Sequence, residues 1–119
     1  MRDHSKLRAF DLADQLALLI YRQTAGFPRE EIFGLTSQMR RAAVSIASNI
    51  VEGCARDSHG DYVRFLDIAY GSARELDYQV SLAHRLGFLD ESSFEEVSKA
   101  TLETCKVLNG LIRSLKQQG

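Results

Sequence analysis

Apolar residues recur along this chain at intervals of three and four, the spacing that puts side chains on one face of an α-helix. From about Lys6 to Ala25, the positions Leu12, Leu16, Leu19 and Ile20 form such a stripe. A second segment runs from about Thr36 to Cys54, with Thr36 or Ser37 placed to cap its first turn. A third, from about Ser58 to Leu86, sets Tyr62, Phe65, Ala69, Leu76, Val80 and Ala83 on one side, and Gly87 supplies its stop. The fourth begins near Ser92 or Ser93, each followed three positions later by a glutamate, Glu95 or Glu96, the signature of a capping box. Phe94, Val97, Thr101, Leu108, Leu111, Ile112 and Leu115 then mark its inner face. No stretch alternates as a strand does. The pattern predicts an all-α fold, an antiparallel up-down-up-down four-helix bundle forming one domain over residues 1–119.

Glycine and the single proline, Pro28, support these breaks. Gly53, Gly71 and Gly110 fall inside periodic stretches and are expected to allow close helix packing.

The second segment carries more apolar surface than one bundle needs. On a helical wheel Leu35, Met39, Ala42, Ala43, Val44, Ile46, Ala47, Ile50, Val51 and Cys54 cover an arc of roughly 200°, against a little over 100° for a helix facing a single core. The surplus flank is chiefly Val44, Ala47 and Val51, with Arg40 inside the same arc. An exposed apolar strip of this kind is expected to pack against a second copy of the chain. Small residues there allow a close approach, and an ion pair between subunits or a snorkelling side chain accounts for Arg40. Tyr70 and Tyr78, which project away from the third segment's inner stripe, join the candidate interface because tyrosine is common at such surfaces.

Composition narrows the chemistry. Fifteen Lys and Arg against sixteen Asp and Glu leave a formal net charge of −1, unlike a strongly electrostatic nucleic-acid binder. At 45% hydrophobic and 26% charged, the 119 residues suit a folded domain, not a disordered chain. No apolar run is long enough to cross a membrane, and no signal-peptide pattern precedes the first helix, so a cytoplasmic protein is expected. Cys54 and Cys105 lie far apart, outside any metal-binding spacing, and read as small buried fillers. The polar run Asp57-Ser58-His59-Gly60-Asp61 reads as a helix break in which Asp57 or Ser58 caps the third segment; as a metal site it lacks donors. There is no nucleophile elbow and no phosphate loop. The sequence therefore points away from an enzyme and calls for no cofactor. One basic grouping stands out: Arg40 and Arg41, with Arg56 and Arg64 further along. Arg41 and Arg56 share a polar arc with Gln38, Ser45, Ser48 and Asn49, donors suited to phosphate, although Glu52 sits in its middle.

The run from Phe27-Pro28 through Glu30/Glu31 and Phe33-Gly-Leu-Thr-Ser-Gln-Met-Arg-Arg-Ala-Ala-Val-Ser-Ile-Ala-Ser-Asn-Ile-Val-Glu-Gly53 is long and specific. With Arg64-Phe-Leu-Asp-Ile-Ala-Tyr-Gly-Ser72 and Glu75-Leu76, it resembles the four-helix-bundle proteins of the 23S rRNA intervening-sequence family, also called the S23 ribosomal protein family. The resemblance implies a bacterial cytosolic protein that assembles as a homopentameric ring. Some such proteins are encoded inside insertions in ribosomal RNA genes. Others serve reverse transcriptases as basic accessory pentamers that contact RNA or DNA. Two features depart from those relatives: Ala47 stands where many have proline, and the net charge is −1 rather than basic. The implied partners are further copies of the chain, RNA or DNA, and a reverse transcriptase or other protein. A protein–protein adaptor with no nucleic-acid role is the alternative reading.

Overall fold

The computed structural model describes residues 2–119, and all regular structure among them is helical. Four α-helices follow one another: α1, Arg8–Thr24; α2, Leu35–Cys54; α3, His59–Arg85; and α4, Glu91–Gln118. Short 3-10 turns at His4–Lys6 and Arg29–Glu31 precede α1 and α2. The molecule is elongated, 44 × 23 × 19 Å.

The inner seam of α1 differs from the expected one. Ala9, Ala13, Leu16 and Ile20 are buried, while Leu12 and Leu19 are only half-buried. Two alanines in the seam bring α1 close to the core, and the larger leucines are displaced to its border with α4, where they line a groove with Leu16, Leu18 and Ala100. In α3 the inner stripe is as the spacing predicts except at Phe65, which is half-buried; Leu66 and Ala73 complete the core face. In α4, Val97, Thr101, Leu108 and Ile112 are buried and Phe94, Leu111 and Leu115 half-buried. Thr101 and Thr104 enter the core because their hydroxyls donate to the carbonyls of Val97 and Ala100, at 2.7 and 2.9 Å.

Two helix starts differ from the sequence reading. Thr36 and Ser37 do not cap α2. Gly34 holds the cap position without a side chain, and the Glu31 carboxylate reaches over from the preceding turn to accept the Leu35 N–H at 3.0 Å. Ser92 and Ser93 lie within the first turn of α4, and Asp90 is its cap, accepting the Ser93 N–H at 2.8 Å. That bond, with one from the Ser93 hydroxyl, holds the Asp90 carboxyl below its ordinary pKa. Ser58 caps α3 as expected, accepting the Asp61 N–H at 3.1 Å. Gly87, at φ +82°, ends α3: its N–H donates to His84 and the Phe88 N–H to Ala83, which closes the last turn.

Neighbouring helices meet at specific pairs. Ser45 bonds Ser72 at 2.9 Å, Arg8 pairs with Glu103 at 2.7 Å, Gln23 donates to Glu96 at 3.2 Å, and the His59 ring bonds the Leu115 carbonyl at 2.9 Å. Of the three glycines expected at close contacts, only Gly53 is at one. A methyl group there would lie 2.9 Å from Phe65 Cβ and 3.3 Å from the Tyr62 carbonyl oxygen, whereas at Gly71 and Gly110 it would meet nothing within 4 Å. Thermal unfolding should separate these cases. Gly53→Ala is expected to lose about 1–3 kcal/mol through overpacking, and Gly71→Ala to gain up to about 1 kcal/mol from helix propensity. A neutral Gly53→Ala would contradict the close approach.

Candidate functional site

Helix α2 has a core face, an outer apolar flank and a polar flank turned toward α3. Leu35, Met39, Ala42, Ala43, Ile46, Ile50 and Cys54 are buried. On the outer flank, Val44 is 41% and Val51 37% exposed, with Ala47 half-buried between them. The flank does not stop at the helix start. Ile32, in the connector from α1, lines with Arg40 and Thr36 a hollow of about 140 Å³ beside the end of α1. Its neighbour Phe33 is 94% exposed. The sequence reading missed both residues; the signal present was two large apolar residues adjacent in a loop outside any helical period.

Arg40 is met within its own chain. Its Nε donates to Thr24 Oγ1 at 2.9 Å and one terminal nitrogen to the Tyr21 carbonyl at 3.4 Å, with the guanidinium 4.6 Å from the centre of the Tyr21 ring. Thr24 in turn donates to the Ile20 carbonyl at 2.7 Å, so its hydroxyl both gives and accepts. No carboxylate takes part.

The remaining candidate arginines fall in two places. Arg41 is exposed on the α3 side and lines a groove with Gln38, Ser45, Ser72, Glu75 and Gln79. Arg56, two residues past the end of α2, lies 4.8 Å from the Phe65 ring and ion-pairs with Glu52. Arg64 approaches the same ring at 4.6 Å and pairs with Asp61 at 3.7 Å. Arg2, which the sequence did not single out, joins this end: its guanidinium sits 4.1 Å from the Tyr62 ring and donates to the Arg56 carbonyl at 2.8 Å. Three arginines and two aromatic rings thus gather where α2 hands over to α3, a cluster of guanidinium groups on ring faces. Arg56 Nε is buried there without a hydrogen-bond partner.

The two tyrosines differ as well. Tyr70 is half-buried and packs on the core, while Tyr78 is 60% exposed, its ring 6.0 Å from Arg85. Both cysteines are buried free thiols, and desolvation pushes each above the ordinary thiol range. His59 is held by Leu115, at the helix break that the sequence read as a cap.

Comparison of the chain with protein families matches residues 5–110 to the 23S rRNA-intervening sequence proteins. The chain belongs to that family. A crystal structure of a protein of unknown function from the S23 ribosomal protein family of Bacteroides thetaiotaomicron has the same fold: it is 25% identical, with a TM-score of 0.79 over 87% of this chain and 97% of that one. No curated protein matches.

In this 23S rRNA-intervening sequence protein the four candidate arginines do not form one patch, and Arg40 is committed to α1. Thr24→Val removes the Arg40 acceptor with little change in shape and is expected to cost about 1 kcal/mol in denaturant unfolding. An unchanged midpoint would show that the bond from Arg40 to Thr24 contributes no stability.

Proposed function

We propose that this protein is a non-catalytic, homo-oligomeric helical scaffold of the cytoplasm whose partner is RNA, DNA or a nucleic-acid enzyme such as a reverse transcriptase. The observation that carries the proposal is the exposed apolar surface of α2 and its connector: Phe33, Ile32, Val44 and Val51 stand in solvent in the isolated chain. Covering apolar area of this kind is worth about 25 cal/mol per Å², and oligomers commonly use such surfaces. The contacts of Ser45 with Ser72 and of His59 with Leu115 support an antiparallel, up-down-up-down course of the helices. That course leaves the outer flank of α2 open along its length. Five subunits is the number implied by the sequence resemblance.

Light scattering at micromolar concentration tests the assembly. The wild type is expected to run as an oligomer, and Phe33→Ser with Val44→Glu to shift it toward monomer while the helical circular dichroism is retained. A monomeric wild type would overturn the assembly.

The nucleic-acid half rests on Arg2, Arg56 and Arg64 gathered over Tyr62 and Phe65, a grouping that oligomerisation repeats in every subunit. Binding of single-stranded RNA is expected to weaken as salt rises, because each phosphate contact releases counterions. Arg56→Glu with Arg64→Glu is expected to weaken it at least about tenfold at low salt. No binding at low salt, or binding indifferent to these changes, would contradict this half.

An adaptor that binds only proteins is the second reading. Tyr78 on the open face of α3 favours it, as does the pairing of Arg56 and Arg64 with acidic neighbours. Purification without nuclease separates the two, since a nucleic-acid partner raises the ratio of absorbance at 260 nm to that at 280 nm.

A further inference from the structure

The groove between α2 and α3 holds polar groups that the bundle itself does not use. It measures about 340 Å³ and is lined by Gln38, Arg41 and Ser45 on one side and Ser72, Glu75 and Gln79 on the other. Ser45 and Ser72 bond each other across it. Elsewhere Arg8, Arg56, Arg64 and Lys116 each have a carboxylate partner. Arg41 and Glu75 line this one groove, and neither makes an ion pair or a side-chain hydrogen bond among the described residues, as is true of Arg22, Arg29, Arg74 and Arg113 elsewhere. Gln79 is only 5% exposed, and its side-chain oxygen has no hydrogen-bond partner. A buried acceptor without a donor is costly, and a ligand that supplies one removes the cost.

These groups define the edge of the ligand. Glu75 as a carboxylate only accepts, and takes two N–H groups side by side most strongly. Arg41 and Gln38 supply N–H donors for an oxygen next to them. Gln79 needs one further donor. The matching edge carries an acceptor, then a ring N–H, then an amino group. We propose that the groove binds the guanine base, O6 toward Arg41 and Gln38, N1–H and the 2-amino group toward Glu75, and the second amino hydrogen toward Gln79. Uracil places acceptors on both sides of its N–H, and adenine and cytosine put a ring lone pair where Glu75 needs a donor. The base comes either from a free guanine nucleotide or from an unpaired guanine in a strand. Only the second source rests on the nucleic-acid reading above.

Calorimetric titration of the whole protein with GMP, IMP and AMP tests the groove directly. GMP is expected to bind roughly tenfold or more tightly than IMP, which lacks the amino group, and than AMP. Glu75→Gln is expected to abolish that preference, and Gln79→Met to weaken GMP while leaving AMP unchanged, both with wild-type helical circular dichroism. In a second arm, fluorescence anisotropy compares short labelled oligouridylates carrying a single central guanine or a single central adenine. GMP selectivity without oligonucleotide binding supports the groove as a nucleotide site and removes the nucleic-acid reading. A guanine preference in the strand, lost in Glu75→Gln, supports the groove in its other form. Equal binding of both strands together with no GMP selectivity overturns the groove and leaves the nucleic-acid reading standing. Absence of binding in both arms overturns the groove too.

Discussion

The close approach of α2 to α3 governs the rest of the structure. Gly53 lies against Phe65 and Tyr62 with no room for a methyl group, and Ser45 meets Ser72 further along the same pair of helices. With small residues at both contacts, α2 turns its polar flank toward α3. The core takes the face of Met39, Ile46 and Ile50, and Val44 and Val51 are left on the outside. The apolar flank and the polar groove are thus two consequences of a single packing choice. A larger residue at Gly53 would move both.

Much of this was legible beforehand where periodicity and chemistry agree. The four helices, the Ser58 cap, the Gly87 stop and the exposed positions of Val44 and Val51 follow from spacing and from residue types with few alternatives. What escaped depends on contacts distant in sequence, or on competition between equivalent residues. Asp90 outcompeted Ser92 and Ser93 for the cap, and Glu31 capped α2 from the preceding turn. Either solution satisfies the same first-turn donors, so residue type alone does not choose between them. Phe33 was missed because a loop residue has no period to violate. The wheel also grouped Arg41 with Arg56, since it records angle and not height along the axis. In space they serve opposite ends of α2.

Charge is partitioned in a similar way. In a chain of net charge −1, three of the four candidate arginines are occupied internally: Arg40 on Thr24 and Tyr21, Arg56 with Glu52, Arg64 with Asp61. Affinity for an anionic polymer then depends on repetition of a modest cluster, not on the field of a single subunit. The nucleic-acid binding proposed above therefore depends on the proposed assembly: without copy-to-copy contacts, a single cluster of arginines has little to work with. That gives the outer flank of α2 its weight in the functional account.

The most direct measurement reads the flank itself. Valine methyl resonances recorded with a soluble paramagnetic probe report which methyls meet solvent, and Val80 and Val97, at 1% and 0% exposure, serve as internal standards of burial. The account predicts that at micromolar concentration Val44 and Val51 are shielded nearly as well as those two, because another subunit covers them. Fast relaxation of both methyls by the probe, at concentrations where the chain is folded, would contradict it.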